Sequence, residues 1–493
     1  MKIAYFSPLN PQPSGISDYS EELLPQLGKH CEIDLFVDGF QPANQTIRSS
    51  FACFDYSKYP ETIAEIDKYD AVVYHLGNDH RYHSGIMEIA RRHRGIIVFH
   101  DFALQDFFLG LSQMRNDPSI YIEEVFACHG EQAAREAAES LVHGAVPSLA
   151  TRPLDFPLNC RLARGAEGIV THSEWGRARF AAIAPFVPVA HIDMPVNVGG
   201  GELQHVDSGS GTVQIANFGL ITPGKGIEQA LRVLSRLKAD HDFHYTLVGA
   251  PNSFFDVQSL ISKYAMQDRV TVTGHLPLEE FERRIALTDI ALNLRERTVG
   301  ETSASLCRIM AAGVPAIVFN VAAFAELPDD AVVKIDQDEH SDLLFETYLR
   351  RLIEDAELRR RIGSNARRHI LARHSVATSA ERYADFIRDV VARRSGDYFV
   401  RDVAHQIATL GLRSQDETVL RNVAQEIVLL TPDAMKNSPP ALRKSDTSPP
   451  QLFNSAPVTG NGHQRSKNSS HKAEDPGRLP KISGVDYKRA ALT

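Results

Sequence analysis

The chain has 493 residues, 43% of them hydrophobic and 23% charged, with a net charge of −9 at pH 7. That length admits two substantial domains, and the acidic balance argues against a general nucleic-acid binder. The five cysteines (Cys31, Cys53, Cys128, Cys160 and Cys307) form no C-x-x-C pair, which points to reduced thiols rather than a disulfide framework or a zinc site.

The first residues, Met1 to Phe6, read as a short buried strand ending at Ser7-Pro8. The run is too short for a signal peptide, and no apolar stretch approaches membrane-spanning length. A cytoplasmic protein is expected, touching a membrane at most peripherally at its inner face. Strand patterns at 3–6, 33–37, 71–76, 96–100 and 168–171 alternate with helix patterns such as 19–27 and 85–92. Such alternation predicts a parallel sheet with helices on both faces. In the loop P-Q-P-S-G-I-S-D-Y at 11–19, Gly15 lets backbone approach a ligand closely, and Ser17 or Asp18 is placed to cap the helix. An ordinary capped loop fits that spacing equally well. Residues 77–79, Gly-Asn-Asp, read as a turn. His75, Asn78, His80 and His83 follow no standard zinc spacing, so an acceptor-side loop or solvated histidines are expected there and no metal. His100-Asp101 ends the apolar run 95–99, where a polar pair faces the ligand crevice of a parallel sheet. His100 is placed to donate to a sugar hydroxyl and Asp101 to orient it or cap the next helix, with a structural His-Asp pair as the rival reading. Ser173 is the expected cap of a helix beginning at 173.

A Gly-rich stretch at 197–211 reads as a linker. A second alternating run follows, with strands at 213–218, 245–249, 270–273, 290–294, 316–319 and 332–335. Helical patterns cover 341–394 and roughly 397–430, and beyond about Met435 the composition turns to Pro, Ser, Asn, Lys and Gly, as in disordered tails. The expected organisation is a first domain 1–196, a linker 197–211, a second domain 212–376, a helix 377–393 packing back on the first domain, a helical extension 394–434 and a tail 435–493.

Chemistry concentrates in two turns of the second domain. At 293–315, N-L-R-E-R-T-V-G-E-T-S-A-S-L-C-R-I-M-A-A-G-V-P, a buried strand breaks into a polar turn and enters a helix stopped by Gly313 and Pro315. This leaves the amides of Thr302, Ser303 and Ala304 open to a phosphate, with the Glu301 carboxylate beside them for sugar hydroxyls. At 217–227, N-F-G-L-I-T-P-G-K-G-I, Gly219 permits a tight turn and Lys225 stands where a cation meets a phosphate. A Gly-Pro turn with a solvated lysine is the plainer alternative.

Together, F-G-L-I-T-P-G-K-G at 218–226, V-T-G-H-L at 272–276, T-D-I-A-L-N-L-R at 288–295, G-E-T-S at 300–303 and M-A-A-G-V-P at 310–315 resemble glycosyltransferase family 4. S-G-I-S-D-Y-S at 14–20 and H-S-E-W at 172–175 are similar to its bacterial members. The resemblance covers roughly residues 1–392. It implies an α/β architecture, the GT-B fold of two Rossmann-like doubly wound domains facing a cleft. It also implies retaining transfer of a sugar from a nucleotide-diphosphate donor, held by the second domain, to a carbohydrate or lipid-linked acceptor held by the first. No cofactor and no metal are implied. Carried over, Lys225 contacts the diphosphate, Glu301 the donor sugar, His100 lies near that sugar and Gly15 near the diphosphate. Gly219, Arg295, Thr302 and Ser303 complete the donor side, while Asp18, Asn78 and Asp101 fall on the acceptor side.

Two positions depart from the family pattern. Arg308 stands where a ribose-binding carboxylate is usual, and a guanidinium cannot accept hydrogen bonds; Glu326 is a candidate replacement. Leu220 stands where an arginine is usual, and Arg295 is a candidate compensating cation. A sugar-nucleotide epimerase on the same fold and a non-catalytic nucleotide-sugar binder stay open as alternatives. A dehydrogenase is disfavoured, because no G-x-G-x-x-G follows the first strand.

Overall fold

The computed structural model describes residues 1–197, 204–206, 211–252, 255–409 and 416–430. Seven strands build the first sheet: β1 (Lys2–Phe6), β2 (Glu32–Val37), β3 (Ala52–Asp55), β4 (Ala71–Leu76), β5 (Ile96–Phe99), β6 (Gly168–Thr171) and β7 (Val189–His191). Their order is β3-β2-β1-β4-β5-β6-β7, and every pairing is parallel. The second sheet comprises β8 (Val213–Phe218), β9 (Phe243–Val248), β10 (Val270–Val272), β11 (Ile290–Asn293), β12 (Ala316–Phe319) and β13 (Val333–Ile335). It too is wholly parallel, in the order β10-β9-β8-β11-β12-β13.

Both orders reverse direction once, between β1 and β4 and between β8 and β11. At such a switch point the loops leaving adjacent strands diverge and open a crevice at the carboxyl ends. The loops that carry Gly15, Lys225 and Glu301 leave β1, β8 and β11, so the topology alone sets them at the two crevices.

The strands at the centre of the first sheet are largely apolar because helices cover both faces. Ala4 and Phe6 point into one layer, Ile3 and Tyr5 into the other. That second layer is closed by Ala380, Tyr383, Ala384, Ile387 and Val390 of the helix Val376–Thr409. Each large apolar side chain buried there contributes about 2 kcal/mol, and Tyr19 and Tyr383 also share a buried hydrogen bond of 2.6 Å between their hydroxyls. Residues Met1–Val391 pack as one compact unit, while the described residues from Ala392 onward belong to another. One helix runs without a break from Val376 to Thr409, past the boundary expected at 393, and Glu417–Leu430 is a separate helix. Most of the expected linker and the expected tail lie outside the described residues. Within 204–206, the His205 and Val206 amides donate to Ala312 and Ala286 of the second domain.

Between β5 and β6 the chain makes an excursion through the helices Gln105–Arg115, Ser119–Val142 and Cys160–Gly165. The second of these is broken at Gly130, where φ is +80°. No helix among the described residues is long and apolar enough to cross a membrane. All five cysteines are free thiols.

Candidate active site

After β8 the chain turns at Gly219, with φ at +92°. It then passes through a single tight turn, Pro223–Lys225, into the helix Ile227–Leu237. The turn folds Lys225 back so that its Nζ donates to the Phe218 carbonyl at 3.0 Å. A side chain at Gly219 would meet that Nζ at 2.7 Å, and the positive φ itself calls for glycine. Burial, and then the Arg295 guanidinium, hold the Lys225 ammonium well below its usual pKa, with Glu301 opposing them. An anion placed against this group relieves the penalty.

The loop from Leu294 to Ser303 is braced from within. The Glu301 carboxylate accepts from Arg295 Nε at 2.9 Å, from Thr298 Oγ1 at 2.7 Å and from the Val299 amide at 3.0 Å. Arg295 is buried and also donates to Leu294 O and Ser303 Oγ. Three of about four acceptor positions on Glu301 are thus used for holding the loop, and one remains for a ligand. Ser303 caps the helix Ala304–Ala312 by accepting from the Leu306 amide. The amides of Thr302, Ser303 and Ala304 take no partner among the described residues, which is the arrangement that seats an anion at a helix start.

The same loop is gripped by the first domain. The Ala103 amide donates to Val299 O at 2.8 Å, and Thr302 Oγ1 donates to His172 O at 3.1 Å. Gly300, at φ +77°, lies against Phe102 and Trp175 so closely that a Cβ would sit 2.6 and 2.7 Å from them. Arg297 donates to both carboxylate oxygens of Asp106, at 2.9 and 2.8 Å, and to Ala150 O. Arg297 was not singled out by its sequence context; only its place in the strand-to-helix turn hinted at a role. These contacts bring the carboxyl ends of the two sheets together around Glu301.

Opposite stand the residues that follow β4, β5 and β6. His100 is buried, with its Nε2 3.0 Å from His75 Nδ1, its ring edge-on to Tyr19 and 5.1 Å from the His172 ring. Burial, and then the neighbouring histidines, push His75 and His100 well below the usual imidazole range, so the cluster is neutral. Asp101 accepts from the Asn78 amide at 2.6 Å. Burial, and next the Glu301 charge, push its carboxyl up to about 7.

Several expectations require correction. His100 pairs with His75 and not with Asp101, and Asp101 caps no helix: the helix Gln105–Arg115 has no side-chain cap. The first helix begins at Gly15 and is capped by Ser14, neither by Ser17, which donates to Gln12 O, nor by Asp18, which accepts from Asn10. A Cβ on Gly15 would meet nothing within 4 Å. Asn78 is a bracket, donating through Nδ2 to Asp106 and accepting at Oδ1 from the Phe107 amide. Arg308 forms an ion pair with Glu22 of the first domain and another, at 3.0 Å, with Glu282 of the second. Glu326 accepts from the Glu174 amide at 3.0 Å at the start of the helix Glu174–Ile183, while Leu220 is about half exposed. Arg295, the candidate replacement cation, is tied to Glu301. Among the described residues no group of three or more His, Cys, Asp or Glu is placed to hold a metal ion.

Residues 205–369 match the family model of glycosyl transferases group 1. The match lies within the second domain and covers less than half of the chain. An alpha-D-kanosaminyltransferase of Streptomyces kanamyceticus is 24% identical over 174 residues, 35% of this chain and 44% of that protein. The chain therefore spans less than half the length of this curated relative. Among solved structures, sucrose-phosphate synthase from Thermosynechococcus elongatus superimposes with a TM-score of 0.58 at 15% identity, over 80% of this chain and 99% of the other. Anabaena HepE in complex with UDP gives 0.53 at 14% identity, over 79% and 100%. WaaG, a glycosyltransferase of lipopolysaccharide biosynthesis, gives 0.52 at 13% identity, over 78% and 99%. These likenesses show the GT-B fold across both sheets.

Proposed function

We propose that the protein is a metal-independent, retaining glycosyltransferase that moves a sugar from a nucleotide diphosphate to a glycan, lipid-linked or small-molecule acceptor. The observation that carries this reading is the anion seat at the switch point of the second sheet. There the half-buried Lys225 ammonium and the open amides of Thr302, Ser303 and Ala304 share one crevice with Glu301.

In this reading Lys225 and the helix start hold the diphosphate and meet the charge that grows on it as the bond from the anomeric carbon to phosphate oxygen breaks. Glu301, through its remaining acceptor position, and His100 hold the sugar. The acceptor hydroxyl attacks from the face the diphosphate is leaving, its proton passing to the departing phosphate oxygen, so configuration is retained. Asp101, Asn78 and Asp18 line the acceptor side. The complexes of Anabaena HepE with UDP and with UDP-glucose support a uridine donor as the first to try.

The test is incubation with UDP-, GDP-, ADP- and TDP-sugars and a panel of glycan and lipid-linked acceptors, reading nucleotide release and the anomeric configuration of the product by NMR. Transfer with retention of configuration is expected, and that transfer is expected to be lost in Glu301→Ala with the fold intact. Conversion of the nucleotide sugar itself with no acceptor would make the protein an epimerase, and binding without turnover a carrier.

A further inference from the structure

Three histidines stand at the carboxyl ends of three adjacent strands: His75 in β4, His100 after β5 and His172 after β6. Their tautomers follow from hydrogen-bond accounting. His172 Nδ1 lies 2.9 Å from Ile192 O; a carbonyl only accepts, so Nδ1 carries the proton and Nε2 is bare. His172 Nε2 is buried and unpartnered, which suits a lone pair better than an N–H, because orphaned buried N–H groups are the rarer defect.

The same reasoning decides the His75–His100 contact. The two neutral rings share one proton across the 3.0 Å between His75 Nδ1 and His100 Nε2. If His100 donated, His75 would carry its own proton on Nε2, which is buried with no partner beside the Tyr5 ring. If His75 donates from Nδ1, only a bare nitrogen is left there. The second arrangement leaves the smaller debt. It also puts the His100 proton on Nδ1, since which nitrogen is protonated is set by what the other one binds. His100 Nδ1 takes no partner among the described residues and, unlike His75 Nε2 and His172 Nε2, is not among the sealed, unsatisfied atoms. It is the edge of the ring open to the cleft.

We infer that His75 is a positioning residue that locks His100 in the Nδ1–H form, so that His100 offers the cleft a hydrogen-bond donor and not a lone pair. Resting on the reading of this cleft as a nucleotide-sugar site, the group it recognises is an oxygen acceptor, a sugar hydroxyl or phosphate oxygen. His100 is on this account not a base: its only lone pair faces His75. Neither His75 nor its hydrogen bond stood out in the sequence, where it was one of four loosely spaced polar residues.

The tautomer is read without any ligand, from two-bond proton–nitrogen correlations of protein labelled with 15N-histidine. Signals lost in His100→Gln and in His75→Asn assign the two rings. We expect His100 protonated at Nδ1 in the natural protein, shifting to Nε2 in His75→Leu, and kept at Nδ1 in His75→Asn, whose amide donates in place of the imidazole. His100 protonated at Nε2 in the natural protein overturns the inference, and that spectrum decides even if His75→Leu fails to fold. Calorimetry with UDP-glucose, GDP-mannose and ADP-glucose forms a second arm: affinity falls about ten-fold in His75→Leu and recovers in His75→Asn. Equal affinity in His75→Leu overturns the positioning role. If none of the three binds while His100 carries its proton on Nδ1, the donor-site reading fails and the tautomer assignment stands.

Discussion

Arg308 occupies the place of a carboxylate in the resembling family, and the structure gives it a different task that can be weighed. Arg308 is 7% exposed, and its guanidinium is held between Glu22 and Glu282. Glu22, with its side chain 12% exposed, also accepts from the Asn197 amide at 3.2 Å where the first domain ends. Arg308→Ala leaves Glu22 as a buried, unpaired carboxylate, for which a loss of about 3–5 kcal/mol is typical. Glu282 is 30% exposed and adds less, because water screens it. A domain of this size loses about 2–4 °C of melting temperature per kcal/mol, so the first unfolding transition should fall by on the order of 10 °C. Arg308→Glu, which restores the family's carboxylate, should be worse, since it joins Glu22, Glu282 and the nearby Asp18. The paired change Arg308→Met with Glu22→Gln should recover most of the loss, because neither charge is then left alone. Differential scanning calorimetry of the four proteins checks this. A single variant within 2 °C of the parent, or a pair no better than Arg308→Ala, refutes the assignment of Arg308 as an interdomain strut.

Further expectations follow from the same geometry. Glu301→Ala removes three hydrogen bonds that brace the loop and should cut sugar transfer by about 100-fold or more; an initial rate within two-fold of the parent contradicts its placement. Asp101, pushed up to about 7 from an unfolded value near 4, makes the folded state bind more protons between those values, so its contribution favours folding at acid pH and is lost as pH rises through that window. Urea denaturation across pH 4–7 should therefore show a shallower fall in Asp101→Asn, and an unchanged slope would sink the shift. Arg297→Ala breaks a partly exposed pair with Asp106 and should cost under about 1 kcal/mol in stability, while amide exchange at 296–300 rises; no change in that exchange contradicts its grip on the loop.

Most strands were readable because parallel strands covered on both faces are largely apolar, as 3–6, 71–76 and 290–294 are apart from His75 and Asn293. The two that escaped, β3 and β7, lie at the edges of the first sheet. β3 is A-C-F-D with two exposed residues, and β7 is only half-buried, so neither carries the signal. The excursion after β5 escaped because its helices mix small and polar residues and one breaks at Gly130. In the second domain the motif turns named Lys225, Glu301 and Arg295, since glycine and charge placement in a strand-to-helix turn is local information. Partners distant in sequence were not readable: Arg308 with Glu22, Glu326 with the Glu174 amide, and His75 with His100 depend on how strands and domains are brought together. The capping error at the first helix was local; Ser14, Ser17 and Asp18 are all competent caps, and backbone entry at Gly15 decides among them.

The central claim, a nucleotide diphosphate held at Lys225, is tested most directly by titration calorimetry of the natural protein and of Lys225→Ala with UDP-, GDP-, ADP- and TDP-glucose, without added metal. The account predicts that one nucleotide binds. It also predicts that this binding is lost in Lys225→Ala. Absence of binding by every nucleotide, or equal binding in Lys225→Ala, would contradict it.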